Sequence, residues 1–414
     1  MGNRVVITGM GAITPVGNDI LKFWENIKAG VCGIDKIDAE NYFDTTDFNV
    51  DIAGMVKDFN ADEYIGKKEA KRMDRFTHLA IKAGDEALED SKLDIKTLNA
   101  NRVGVIIGSG IGGNATIEEQ VTNLITKGPR RVSPFYIPSS IINSVAGMLS
   151  MRYGAKGIAA SVVTACASGS SAIGDAYRQI KHGYMDVMIA GGTEAAILPS
   201  SIAGFSNLKA LSTTKDPKNA SIPFDKNRNG FVMGEGAGIV ILESLESAKK
   251  RNAKIYAEIV GYGATSDAYH ITAPAPDGEG AARAMELAIN EALINIQEVG
   301  YINAHGTSTP INDKTETKAI KLCFGDYANN IPISSTKGMT GHLLGAAGAI
   351  ETIICAKALE DSFIPATIGL KTQDEECDLD YVPNEGRNQA IEYAMTNSLG
   401  FGGHNVSLLL RKWN

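Results

Sequence analysis

Apolar and polar positions follow two rhythms along this chain, and their succession predicts most of its elements. Val5–Thr8 reads as a short strand. Asn18–Gly30 carries a helical spacing through Leu21, Trp24 and Ile27. Residues 31–66 show no period and lean acidic. Lys67–Lys92 predicts one long helix, with Met73, Phe76, Ala80 and Ala87 on its apolar face. Residues 102–113 (RVGVIIGSGIGG) run from a strand into a glycine turn, and the residues after Gly113 are weakly helical. Val162, Val163 and Thr164 are β-branched and read as the end of a buried strand. Helical spacing returns through Ile173, Tyr177 and Ile180, with Gly183 as the helix C-terminus. Val187–Ala190 is another buried strand, and Phe231–Glu243 is a glycine-rich bend leading into a further one.

The second half repeats the first in order. AEIVGYGATSDA from Ala257 echoes VVITGMGAITPVG from Val5, and VGYINAHGTST from Val299 echoes VGVIIGSGIGG from Val103. The stretch from Ile333 (ISSTKGMTGHLLGAAGAIE) echoes that from Ser161 (SVVTACASGSSAIGDA), a strand entering a small-residue helix. NSLGFGGHNVSLLL from Asn397 echoes IAGGTEAA, and its final strand echoes GIVILES. Four echoes in one order predict a pseudo-twofold α/β protein. The two small-residue helices then lie back to back in the middle, and loops from both halves converge on Cys166.

Composition narrows the class. The chain has 414 residues, 44% of them apolar, enough for a large core in two halves. A net charge of −8 argues against a general nucleic-acid binder. Five widely spaced cysteines without a C-x-x-C pair make neither a disulfide framework nor a zinc site. The opening MGNRVVITGMG lacks a secretory leader, and no apolar run approaches the roughly 20 residues a membrane span needs. These features predict a cytoplasmic protein.

Candidate chemistry gathers around Cys166, placed at a strand-to-helix turn. A helix N-terminus favours a thiolate there; from this stretch alone, a buried cysteine in a small-residue core is an equally good account. Two of the six histidines, His305 and His342, occupy loop-to-helix positions matching that of Cys166. Asp313 and Glu316 are placed as a capping box for the helix after His305. Residues 108–113 contain GxGxxG, but no second strand with an acidic ribose-binding residue comes after it, which disfavours a dinucleotide site. Lys67, Lys68, Lys71, Arg72 and Arg75 carry the wrong sign for a helix start. Such a run is either a solvated face or a dock for an anionic partner, and the acidic chain favours the dock.

TACASG, NAHGTSTPIND, STKGMTGHLLGAAGAIE and GFGGHN together resemble the β-ketoacyl-acyl-carrier-protein synthases of the thiolase-like superfamily. The likeness runs essentially the whole length and is greatest to the type II elongating enzymes, since Ile111 follows GSG. Two positions depart from it: His404 stands where relatives often have Thr, and Leu399 where Phe is frequent. The resemblance implies a thiolase-like fold, with layers α/β/α/β/α. Its N-terminal half, 1–253, would carry the nucleophile, and its C-terminal half, 254–414, both histidines.

By the same resemblance, Cys166 takes the acyl group and the N–H groups of Cys166 and Phe401 form an oxyanion hole. His305 and His342 stabilise the enolate from malonyl-acyl carrier protein, and Lys337 with Glu351 forms a supporting pair; a purely structural ion pair is an equal account of the last. Thr307 and Thr309 meet the pantetheine arm, Ile111 borders the acyl tunnel, Leu399 adjoins its gate, and Phe135 and Tyr136 lie where a homodimer partner closes it. Lys67, Lys68, Lys71, Arg72, Arg130, Arg131 and Lys209 dock the acidic acyl carrier protein. The resemblance calls for no metal and no cofactor beyond the carrier's phosphopantetheine, and for no membrane or nucleic acid. A thiolase would need a second cysteine in GFGGHN, which has none. A polyketide-type ketosynthase, and a non-catalytic chain-length subunit lacking the nucleophile, are the remaining alternatives.

Overall fold

The computed structural model of the chain describes residues 2–414. Its main sheet has ten strands: β1 (Val5–Ile13), β2 (Val103–Gly108), β3 (Ala159–Val162), β4 (Val187–Glu194), β5 (Gly236–Ser244), β6 (Ala257–Ser266), β7 (Val299–Asn303), β8 (Ile333–Ser334), β9 (Tyr393–Gly400) and β10 (His404–Lys412). Their order across the sheet is β8-β7-β9-β10-β6-β1-β5-β4-β2-β3. Each of the first five strands therefore sits where the strand numbered five higher sits in the other half. The pairing sense repeats as well: β2 is parallel to β3 and β4, and β7 is parallel to β8 and β9. The halves meet where β1 runs antiparallel to β6 at Val5–Ile259, Val6–Glu258 and Ile7–Ala257. All four sequence echoes are thus equivalent strands.

Eight helices matter for the site: α1 (Ile20–Lys28), α2 (Arg75–Ser91), α3 (Asn114–Lys127), α4 (Ser168–Lys181), α5 (Pro199–Asn207), α6 (Glu279–Ala292), α7 (Pro310–Phe324) and α8 (Ala347–Asp361). The small-residue helices α4 and α8 lie back to back in the middle layer. A Cβ on Gly169 would come within 2.7 Å of Gly345 O and 3.0 Å of Ala349 N. The outer helices obey the same symmetry. A Cβ on Gly11 of β1 would meet Ala83 O of α2 at 1.9 Å, and one on Gly263 of β6 would meet Ala284 O of α6 at 1.8 Å. Only glycine permits so close an approach of helix to strand. Separate apolar clusters fill the middle layer and the two outer layers.

Several expectations need correction. Lys67–Lys92 is not one helix: a short turn of helix, Lys67–Ala70, precedes α2, and Asp74 caps α2 between them. The buried Asp74 carboxylate also accepts the Thr116 amide at 2.7 Å and hydroxyl at 2.8 Å, which holds the break. The basic run therefore stands outside α2 and does not oppose its dipole. Arg75 turns inward to Glu235 at 2.6 Å and leaves the run altogether. Gly113 is followed by a full helix, α3, not a weak one. The strand before Cys166 is an edge strand, and Val163 beyond it is exposed. Residues 31–66 contain two short paired strands, Ile34–Lys36 and Ile52–Gly54. Among the described residues no helix is long and apolar enough to cross a membrane.

Candidate active site

Cys166 stands on a tight turn between β3 and α4. The turn places Ala165 at a left-handed φ of 51°, a costly conformation for a residue with a Cβ. Ser168 stabilises it, accepting the Thr164 amide at 2.9 Å and donating to Ala165 O at 2.6 Å. The helix begins at Ser168, so Cys166 precedes its first turn. Of the two accounts the sequence left open for Cys166, its surroundings favour the neutral thiol. Burial pushes the Cys166 thiol up to about 12, and the Lys337 charge and the backbone N–H groups of Phe401 and Cys166 only partly oppose it. Cys166 is thus a neutral thiol faced by two amide donors.

Those donors come from two loops in contact. A Cβ on Gly400 would fall 2.5 Å from Thr164 O and 3.3 Å from Cys166 N, so glycine lets the 400–403 turn lie directly on the nucleophile turn. Phe401 thereby reaches the cavity that Cys166 opens on to. That cavity is about 360 Å³ and also receives His305, His342, Thr307, Thr309 and Leu399, with Lys209 at its wall. The symmetric fold thus brings residues from both halves to one space.

His305 follows β7, and its peptide is held on both sides. Glu316 of α7 accepts the His305 and Gly306 amides, each at 2.8 Å, and the Lys337 ammonium donates to His305 O at 2.5 Å. The capping-box expectation therefore fails. Thr309 is the cap of α7, while Glu316 grips His305 and Asp313 takes the Phe224 amide and the Arg228 guanidinium. His342 is strapped to the neighbouring 232–234 segment: its amide donates to Val232 O at 2.7 Å and its carbonyl accepts from Gly234 at 2.9 Å.

The two imidazoles meet edge to face at 5.3 Å, and Phe231 packs edge-on against His342 at the same separation. Both are buried, and neither nitrogen of His342 nor Nδ1 of His305 has a hydrogen-bond partner. Burial, then the Lys337 charge, holds both well below the usual imidazole range, so both are neutral at pH 7. Lys337 also pairs with Glu351 of α8, whose carboxyl burial raises to about 7. Lys337 thus steadies the His305 peptide and adds to the burial that keeps two rings uncharged.

Other sequence candidates lie outside this cavity. Ile111 packs in the apolar cluster that holds Cys166 and Phe205. Phe135 is exposed beneath the Arg72 guanidinium, 5.0 Å from it, and Tyr136 is half-buried beside it. Lys67, Lys68, Lys71, Arg72, Arg130 and Arg131 are exposed. Three contributors escaped the sequence reading. Phe205 and Phe231 build an aromatic wall from Phe401 to His342. Glu194, a lone acid ending β4, accepts the amides of Gly110, Ile111 and Gly345, tying the glycine turn to the approach to α8. An acid closing a fully buried strand beside glycine turns was the signal available. A larger polar cavity of about 940 Å³ shares no lining residue with the Cys166 cavity.

Comparison with known proteins agrees with this geometry. The family described as Beta-ketoacyl synthase, N-terminal domain, matches residues 2–248, and Beta-ketoacyl synthase, C-terminal domain, matches residues 256–371. A 3-oxoacyl-[acyl-carrier-protein] synthase 2 of Staphylococcus aureus (strain COL) is 56% identical over 410 residues, covering 99% of this chain and 98% of the relative. The protein of that name from Synechocystis sp. is 54% identical over 411 residues, with coverage of 99% and 98%. Among solved structures, a β-ketoacyl synthase from Burkholderia phymatum STM815 is similar with TM-score 0.92, 35% identity and full coverage of both chains. A type II polyketide ketosynthase, solved with its acyl-carrier protein, has TM-score 0.93 and 36% identity, again covering both chains fully. One thiol, two uncharged imidazoles and a symmetric pair of halves, matched over nearly the whole length, leave one conclusion: the chain belongs to the β-ketoacyl synthase family.

Proposed function

We propose that the chain lengthens an acyl thioester by two carbons through decarboxylative condensation with malonyl-acyl carrier protein, as a step of fatty-acid elongation. The observation that carries this reading is a half-buried thiol sharing one cavity with two neutral imidazoles, among whose nitrogens Nδ1 of His305 and both of His342 lack protein partners. In the first half-reaction the Cys166 sulfur attacks the acyl thioester carbonyl. The pantetheine thiol leaves with the proton that Cys166 gives up, and the acyl group stays on Sγ. The Phe401 and Cys166 amides stabilise the oxyanion of that step. In the second, malonyl thioester loses carbon dioxide, and the electron pair of the broken C–C bond becomes an enolate. His305 and His342 donate to the enolate oxygen. The enolate carbon attacks the acyl carbonyl, the C–S bond breaks, and the leaving Cys166 sulfur takes up one proton from water, so the step consumes one proton overall. Lys337 and Glu351 are a positioning pair, and Thr307 and Thr309 hold the arm at the cavity. Mass spectrometry tests the first half directly: acyl-carrier protein should add one acyl mass to the Cys166 peptide, and malonyl-carrier protein should discharge it. An adduct on any other peptide would sink the assignment.

The same reading makes the enzyme a cytoplasmic homodimer. Support for the dimer is the unpaired edge of β3 with exposed Ile117, Leu124, Ile137 and Val163 beside it, an apolar face that a second copy would cover. Phe135 and Tyr136 belong to that face, and Ile111 lines the path an acyl chain would take behind Cys166.

Docking of an acidic carrier to a chain of charge −8 needs local positive charge. Lys67, Lys68, Lys71 and Arg72 supply it, with Arg130 and Arg131, while Lys209 stands at the cavity. Reversal of Lys68 and Arg72 to Glu is expected to raise the Michaelis constant for acyl-carrier protein about tenfold at low salt. The constant for a small pantetheine thioester should move far less, and the gap between wild type and variant should shrink as salt is added. Parallel loss with both substrates would make the patch a solvated surface only.

A further inference from the structure

Glu194 closes β4 with its side chain fully buried, and the donors around it come from both halves of the chain. One carboxylate oxygen accepts the Gly110 amide at 2.7 Å and the Gly345 amide at 3.0 Å. The other accepts the Ser109 hydroxyl at 2.9 Å and the amides of Ile111 and Gly112 at 3.1 and 3.3 Å. Burying a carboxylate is costly unless its oxygens are hydrogen-bonded. Here the 109–112 turn and Gly345 supply those bonds. The turn has little else to hold its shape: Ile111 stands between Gly110 and Gly112, the latter at a φ of 74°, so its backbone is free without the carboxylate. The turn also abuts the site. A Cβ on Gly110 would lie 3.4 Å from Ala165 O in the nucleophile turn, and one on Gly345 would lie 2.4 Å from Gly110 N. The Ile111 side chain packs in the apolar cluster that Cys166 shares with Phe205, Phe231 and Leu344.

We propose that Glu194 is a positioning residue for acyl-chain selection: by fixing the backbone at Ile111, it holds one wall of the apolar space beside Cys166 in the shape that a long acyl tail requires. The proposal rests on the condensation reading above. A hydrocarbon tail attached at the Cys166 sulfur is drawn to the apolar side chains around it, and Ile111 is among them. A long tail meets that wall along its length, and a short one meets it little. If the turn samples several shapes, binding of the long tail weakens by the fraction of molecules in which the wall is in place. Glu194→Gln keeps the size of the side chain but puts an NH2 group where one acceptor oxygen stood, facing donors in either orientation. With that group toward Ser109, whose hydroxyl can turn to accept, the Ile111 amide loses its acceptor.

The test is acyl transfer to Cys166 in the full-length enzyme, followed by mass spectrometry with dodecanoyl- and butyryl-carrier protein as donors. The measured quantity is kcat/KM for dodecanoyl divided by kcat/KM for butyryl. In Glu194→Gln the ratio should fall about tenfold. Butyryl transfer in the same preparation is the denominator, so a general loss of folded enzyme cancels. The fall should lie in the Michaelis constant for the long chain rather than in its kcat. In an Ile111→Ala background the same substitution should change the ratio less than about twofold, because Glu194 acts through Ile111. Ser109→Ala removes one donor to Glu194 and one acceptor of the Gly112 amide. It should lower the ratio about threefold, and it decides the matter if Glu194→Gln does not fold. An unchanged ratio, a fall confined to kcat, or additive losses in the double variant overturns the role of Glu194 alone. A wild-type enzyme that forms no adduct on Cys166 with either donor overturns the condensation reading and this role with it.

Discussion

Cys166→Ala is expected to abolish acyl transfer and condensation, by at least about 10⁴-fold, while malonyl decarboxylation survives. The size of the loss reflects the inventory of the cavity: Cys166 is its one thiol, and no serine lines it. Survival of decarboxylation is a matter of topology. Cys166 belongs to the turn after β3, whereas His305 and His342 follow β7 and β8 and are fixed by Glu316, Lys337 and the 232–234 backbone. Removing the sulfur disturbs none of those bonds. The thiol's own state predicts a second result. Because burial raises it well above the usual thiol range, a neutral alkylating agent should react slowly at pH 7 and accelerate as pH rises through 8 and 9. Carbon dioxide release that vanished with the thiol would refute the division of labour. Alkylation already saturated at pH 7 would refute the neutral thiol.

His305→Ala or His342→Ala should reverse the pattern. Decarboxylation is expected to fall about 10²–10³-fold for either change, the loss typical of removing one donor from an oxyanion site. Acyl transfer to Cys166 should persist, because its oxyanion donors are main-chain amides that neither substitution touches. The two variants should cost about as much together as apart, since two donors serving one oxygen act as a unit. Charge state offers an independent check. Burial and Lys337 depress both imidazoles well below 6.5, so each stays neutral as pH falls from 8 to 6. Their ring-proton resonances should therefore hold still across a range in which a free imidazole titrates at about 6.5. Titration of either ring in that window would mean a protonated donor, and additive losses would place the two rings on different oxygens.

Much of this was legible in the chain. The four echoes located the strands of both halves, because a buried strand writes an apolar run and a duplicated fold writes it twice. Small residues announced the close approach of α4 to α8, since no side chain fits there. Cys166, His305 and His342 could be named from strand ends and loop positions, and the full-length resemblance supplied their roles.

Local pattern misled where a distant partner decided the outcome. The helix over Lys67–Lys92 breaks because Asp74 bonds Thr116 on another helix, and Arg75 leaves the basic run because Glu235 is within reach. Glu316 looked like a cap three residues from Asp313, yet its carboxylate is taken up by the amides of His305 and Gly306. The place of Cys166 before a helix left a thiolate and a neutral buried thiol equally open, and desolvation outweighs a dipole whose first turn it precedes. Sequence alone determined the main strands, their duplication and the identity of the reactive groups, because each of these is a local pattern of side-chain type. Tertiary structure alone decided their charge states and their shared cavity. Burial and long-range contact set those properties, and neither is written at any one position.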